Sequence, residues 1–282
     1  MRTPSGLTVI TGVTSGFGRA VSQHLARAGH DLVLVTRGSE SAALIDDLPG
    51  SGQRHVVTAD LSSMSDVAAA AEEIAGLGRP IDLLVNNAGA VYGLRRRESV
   101  DGIELTMALN HFGYFHLTTA LLEPLLEGGG ARVVNVASDA YEYAGGRFDF
   151  DRWTATGDYR PHRQYGRSKL ANILFTHELD RRYRDRGIDT VAWSPNGLTA
   201  TRFAYGANRL APALMKLTHP FAAKTEDAVV PLFDLLVDEL GARRGQFVCG
   251  SELHDVTVCT DADAARLWEM SERVVADRGV VA

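Results

Sequence analysis

The chain is short of cysteine. Only Cys249 and Cys259 occur in 282 residues. Two thiols cannot staple a chain of this size, and their spacing does not make a paired metal knuckle. They read as reduced thiols of a cytosolic protein, so a cytoplasmic location is expected. The nine histidines are scattered, with no H-E-x-x-H and no Cys/His ligand spacing, so no metal is expected. Long apolar runs are also missing. Gly, Pro or charge breaks each one well before the roughly 18 residues a membrane span needs. Met1–Ile10 holds one Arg and a short apolar run, without the apolar core and cleavage site of a signal peptide. Positive charge is not in excess: 29 basic against 35 acidic residues leave −6. That excludes general nucleic-acid binding, which rests on neutralising phosphates, but not a local basic patch for one phosphate. No Pro/Ser-rich linker, charge run, repeat or low-complexity segment marks a domain boundary.

What remains is an ordinary globular composition, 45% hydrophobic and 23% charged. At about 150 residues per domain the length allows two domains, or one large α/β domain. Short apolar runs alternate with helical patterns. Strands are expected at Leu7–Ile10, Leu32–Val35, around Val56–Val57, and at Ile81–Val85, Arg132–Val136, Thr190–Trp193 and Gln246–Cys249. Helices are expected over Gly16–Ala28, Asp66–Leu77, Leu105–Leu126 (with Pro124 in its final turns), Leu170–Tyr183, Ala228–Leu240 and Asp261–Arg273. Strands apolar on both faces are buried as parallel strands are. Alternation with helices throughout gives a doubly wound parallel α/β sheet of about seven strands, a Rossmann fold. One domain over residues 1–282 is favoured.

Thr11-Gly12-Val13-Thr14-Ser15-Gly16-Phe17-Gly18 follows the first strand and opens the first helix. Glycines there allow a tight turn and a close approach of backbone to pyrophosphate, and the helix start supplies free N–H groups. A glycine triplet alone is weak evidence; its place between strand and helix makes it a nucleotide-binding turn. After the second strand, an acidic residue would bond the ribose 2′-OH of NAD, whereas Arg suits the 2′-phosphate of NADP. Arg37 stands there, and NADP(H) is expected to be preferred over NAD(H).

Further motifs follow in order. Asp60-Leu61 closes the third strand and Asn86-Asn87-Ala88-Gly89 the fourth. Asn110 lies in Leu109-Asn110-His111-Phe112-Gly113. Ser138 closes the fifth strand, and Tyr165-Gly166-Arg167-Ser168-Lys169 follows. With T-G-x-x-x-G-x-G, these resemble the short-chain dehydrogenase/reductase family from about Leu7 to Cys249. The resemblance implies a nicotinamide cofactor held by Gly12, Thr14, Ser15, Gly16, Phe17, Gly18, Arg37, Asp60, Leu61, Asn87, Ala88, Gly89, Tyr165, Lys169, Pro195, Gly197 and Thr201. It implies a catalytic set of Asn110, Ser138, Tyr165 and Lys169. Tyr165 and Lys169 share a helix face at i, i+4. An ammonium beside a phenol lowers its pKa, which suits Tyr165 to pass a proton to or from a substrate oxygen. Ser138 would hydrogen-bond that oxygen. Asn110 is expected to hold a relay water.

The gap between Ser138 and Tyr165 is long, as in the retinol dehydrogenase and protochlorophyllide reductase branches; the flanking residues fit the former. The inserted stretch from Asp139 to Gln164 carries Tyr141, Tyr143, Phe148, Phe150, Trp153 and Tyr159. It reads either as a lid over an apolar cleft or as an aromatic-anchored surface loop or interface. Ser194-Pro195-Asn196-Gly197 departs from the family's Pro-Gly and leaves Thr199 and Thr201 as alternatives at the nicotinamide, with Thr201 favoured. Arg202–Phe221 takes the place of the family's substrate loop. The expected activity is carbonyl–alcohol interconversion on a small, apolar substrate. C=C reduction and a non-catalytic nucleotide-binding regulator are the alternatives. Family members pair through their long helices, here Leu105–Leu126 and Tyr165–Arg186, which implies a homodimer or homotetramer.

Overall fold

A computed structural model describes residues 7–38, 47–196 and 225–279. Eight strands form one sheet: β1 (Leu7–Thr11), β2 (Asp31–Thr36), β3 (Arg54–Thr58), β4 (Ile81–Asn86), β5 (Ala131–Val136), β6 (Ile188–Ser194), β7 (Phe247–Cys249) and β8 (Glu252–His254). Their order is β3-β2-β1-β4-β5-β6-β7-β8. Every pairing is parallel except β7 with β8. The expected strands are all present. β8 is the addition. Its residues are exposed, so it lacks the apolar run that reveals a buried strand.

Alternating side chains divide between two layers, as the strand period dictates. Val9, Val33 and Val35 face one layer, with Val67 and Ile74 of α2 (Met64–Ala75) and Leu117 of α3 (Gly113–Ala120). Ile10, Leu32 and Leu34 face the other, with Val21 and Leu25 of α1 (Gly16–Arg27). A third cluster lies where Met107, Phe112, Tyr141, Leu170 and Phe247 meet.

The expected continuous helix over Leu105–Leu126 is broken. Leu105–Met107 passes into a π-helical turn, Ala108–Phe112, then α3, then α4 (Leu122–Glu127). Pro124 has no N–H to continue a helix from Ala120. It sits in the first turn of α4, not in the final turns of one long helix. Thr119 donates to the Phe115 and His116 carbonyls (2.8 and 3.1 Å), a back-bond that bends helices.

The helix expected from Leu170 begins earlier, as α5 (Pro161–Tyr183), with proline in its first turn. The stretch Ala228–Leu240 is two helices, Thr225–Ala228 and α6 (Val230–Val237). Pro231, in the first turn of α6, accounts for the interruption. The terminal helix α7 runs Asp261–Gly279, past Arg273.

The strand order reverses between β1 and β4, which opens a crevice at their carboxyl ends. The glycine turn, Asn87-Ala88-Gly89 and Ser138 all gather at that edge.

Candidate active site

The glycine turn is bolted to the end of β4. Thr11 Oγ1 accepts from the backbone N–H groups of Asn87 and Ala88, each at 2.9 Å. Asn87 Nδ2 donates to the carbonyls of Thr11 (2.9 Å) and Gly12 (3.1 Å). Gly12 has φ +72°, and a Cβ there would lie 2.7 Å from Ala88 Cα. A Cβ on Gly18 would collide with the Gly12 carbonyl oxygen and Asn87 Nδ2. Gly16 opens α1 at φ +59°. Ser15 is its N-cap residue but makes no side-chain cap bond, so its hydroxyl leaves the first amide groups of α1 open to another acceptor. Phe17 packs edge-on against Trp193 at 5.4 Å; Thr14 is exposed beside it.

Arg37 is exposed at the end of β2. It meets the phenol of Tyr92, which Asp60 also approaches; burial pushes that phenol up. Sequence reasoning missed Tyr92, although it stands three residues after Gly89. Asp60 Oδ1 accepts from Ser62 N–H (2.9 Å) and Oγ (2.7 Å), closing the turn that buries Leu61.

Ser138, Tyr165 and Lys169 come together where β5 ends against α5. Lys169 Nζ donates to the Val136 carbonyl at 2.7 Å and lies 5.6 Å from the Tyr165 ring centroid. Its side chain is 1% exposed, and burial brings its pKa down to about 7. The Tyr165 phenol is pushed well above its usual value of 10, chiefly by burial. The Ser138 hydrogen bond pulls it down, and the Asp139 charge pushes it up. The phenol thus lies above its ordinary value, opposite to the lowering expected from Lys169, because burial is the largest effect on it.

Ser138 Oγ donates to Asp139 Oδ1 (3.0 Å) and accepts from Ala140 N–H (3.1 Å), so it also caps the 3-10 turn Asp139–Ala144. Gly166 lets that turn lie on α5, since a Cβ there would be 2.6 Å from the Ala140 carbonyl oxygen.

Asn110 sits in the π turn, a feature common at functional sites. Its Oδ1 accepts from Ala90 N–H (2.9 Å), and its Nδ2 donates to the Ala90 carbonyl (3.1 Å) and Ser168 Oγ (3.0 Å). Ser168 Oγ donates to the Tyr165 carbonyl at 2.7 Å. The amide thus ties the Tyr165 turn to the segment after β4. A Cβ on Gly89 would lie 3.2 Å from Asn110 Oδ1 and 3.7 Å from Lys169 Nζ.

The aromatics of the inserted segment anchor it. Tyr141 meets Phe247 edge-on at 5.6 Å, and Trp153 meets Phe112 at 5.2 Å. Phe148 is buried against Phe150. Tyr159 OH donates to the Tyr92 carbonyl at 3.0 Å. Only Tyr143 of the set is strongly exposed, at 58%. Gln164, which sequence reading passed over, donates to Glu104 Oε2 (3.0 Å) and the Trp153 carbonyl (2.7 Å).

Pro195 directly follows β6, its carbonyl accepting from Ser194 Oγ at 3.0 Å. Gly197, Thr199, Thr201 and the segment 202–221 lie outside the described residues.

A family profile described as short chain dehydrogenase matches residues 7–209. The chain belongs to this family. Human retinol dehydrogenase 13 is 31% identical over 96% of this short-chain dehydrogenase and 85% of its own length. Mouse retinol dehydrogenase 12 is 32% identical, over 95% and 85%. These relatives put the short-chain dehydrogenase in the retinol dehydrogenase-like branch. A structure described as an NAD(P)-dependent gluconate 5-dehydrogenase from Beutenbergia cavernae, with bound NADP, superposes at TM-score 0.67 and 26% identity. It covers 87% of this chain and 95% of that one.

The short-chain dehydrogenase is an oxidoreductase of a family that binds nicotinamide cofactors. Its residues fit such a group: uncapped α1 amides beside the glycine turn suit a pyrophosphate, and exposed Arg37 suits a further phosphate. No helix among the described residues is long and apolar enough to cross a membrane.

Proposed function

We propose that the protein is an NADP(H)-preferring oxidoreductase that interconverts a carbonyl and an alcohol, with Tyr165 as general acid/base. The meeting of Ser138, Tyr165 and Lys169 carries this reading. The glycine turn and α1 amides would hold the pyrophosphate, Arg37 the 2′-phosphate, and Lys169 the nicotinamide ribose. The bound cofactor supplies or takes the hydride at the reacting carbon. The protein's own groups handle the oxygen. Ser138 Oγ hydrogen-bonds it and stabilises its developing charge. Tyr165, fully protonated at neutral pH in the free protein, donates its phenolic proton to it during reduction. In oxidation the same oxygen of Tyr165 takes the proton back. A positive charge on the nicotinamide side, together with protonated Lys169, would offset the burial that holds the phenol up. Asn110 keeps the Tyr165 turn in place through Ser168. The retinol dehydrogenase relatives support an apolar alcohol or aldehyde as substrate.

Tyr165→Phe should abolish turnover and leave NADP(H) binding unchanged; substantial residual activity would refute the assignment. kcat/KM should be higher with NADPH than with NADH, and equal or reversed values would overturn the cofactor preference.

A further inference from the structure

Asp139 immediately follows Ser138, and its carboxylate accepts the Ser138 hydroxyl hydrogen at 3.0 Å. Asp139 is exposed, whereas Lys169 is buried with its ammonium on the Val136 carbonyl. The Asp139 backbone is pinned from a second side, its N–H donating to Ser194 Oγ at 3.3 Å. No ion pair to Asp139 occurs among the described residues. The charged groups facing its neighbours Tyr141 and Cys249 are Asp139, Glu142, Glu252 and Asp255, all acidic. A fixed negative charge therefore stands one hydrogen bond from the hydroxyl that is to receive the substrate oxygen.

We propose that Asp139 sets the charge selectivity of the active site, excluding carbonyl substrates that carry a carboxylate near the reacting carbon and favouring those that carry an ammonium or another hydrogen-bond donor. This deepens the carbonyl–alcohol reading and rests on it. Two carboxylates about 4–5 Å apart in a partly solvated cleft repel enough to change affinity by roughly tenfold. The Asp139 carboxylate has acceptor sites beyond the one that Ser138 fills, so a donor on the substrate can bond it directly, whereas an anionic substrate can only be repelled.

The test uses a matched pair of probes, benzylammonium and phenylacetate, titrated calorimetrically into the NADP(H)-loaded full chain. Wild type should bind benzylammonium at least tenfold more tightly than phenylacetate. Asp139→Asn, which keeps the shape and an acceptor for Ser138, should bring the ratio near one, and Asp139→Lys should invert it. A ratio that stays within twofold of wild type in both variants overturns the proposal, as does failure of the wild type to bind benzylammonium. Both variants should bind NADPH as the wild type does, which separates a change of selectivity from general damage to the fold. In parallel, NADPH consumption is followed with benzaldehyde and 4-carboxybenzaldehyde. No turnover of any aldehyde would count against the carbonyl–alcohol reading, while the binding ratio still decides the role of Asp139.

Discussion

Lys169 is buried with one described hydrogen-bond partner, a backbone carbonyl. Its pKa falls from 10.5 to about 7. Between those values the unfolded chain holds a proton that the folded chain has lost, so stability should rise with pH across that window and be flat below it. The slope from one proton is about 1.4 kcal/mol per pH unit at most. Denaturation midpoints between pH 7 and 10 should therefore climb more steeply in the wild type than in Lys169→Met; parallel curves would show that the lysine is solvated. Gly18 is held to its residue type by space rather than by charge. Any side chain there meets the Gly12 carbonyl oxygen and Asn87 Nδ2, and overpacking of this kind costs about 1–3 kcal/mol. Gly18→Ala should lower the urea midpoint and weaken NADPH binding, since the same contact shapes the turn. Unchanged binding would show that the turn can shift. The residue types at both positions were legible in the sequence, but the burial behind them was not.

Among the elements, the inserted segment before α5 shows best how sequence and packing divide the work. Its aromatics were visible, and two readings were open. Packing of Tyr141 on Phe247 and Trp153 on Phe112 favours the anchored one. Gln164 fastens the segment from below, reaching both the Trp153 carbonyl and the fully buried Glu104 carboxylate that caps the Leu105–Met107 turn. Replacing it with leucine would leave that carboxylate short of one donor, a loss of roughly 1–3 kcal/mol. Gln164→Leu should also speed amide exchange over residues 146–160. Global destabilisation without that local signal would show that the clasp does not hold the segment. A polar residue beside a tyrosine gives no sign of such a role in sequence, because its partners lie 60 and 11 positions away. The broken helix around Pro124 was readable in principle. A proline late in an apolar-periodic run can end one helix or start the next, and only the Ala120–Leu122 backbone decides which.

Across the whole molecule, α7 closes over the helical layer. Trp268 is buried among Phe115, Phe175 and Tyr183 and lies beneath the Arg182 guanidinium at 4.6 Å. His111, next to Asn110, bonds Ser271 of the same helix at 2.9 Å. Pairing through α3 and α5, as the family resemblance implies, would have to accommodate this helix. Trp268 and Ser271 of α7 already take part of that face. We therefore expect a monomer of 30.5 kDa by light scattering at micromolar concentration. A dimer would mean that the pairing surface lies elsewhere or that α7 is displaced.

The sequence by itself determined the layered fold. Buried parallel strands need continuous apolar runs, and helices need their period, so both leave marks that are local in the chain. It also determined which residue types stand at the sheet's carboxyl edge, because glycine geometry and the Tyr165–Lys169 spacing are local as well. Only the tertiary structure decided their electrostatics. The desolvation of Lys169 and Tyr165, the hold of Asn110 on the Tyr165 turn and the approach of Ser138 to Tyr165 depend on what surrounds each group. Those surroundings come from segments far apart in sequence, and no local pattern records them.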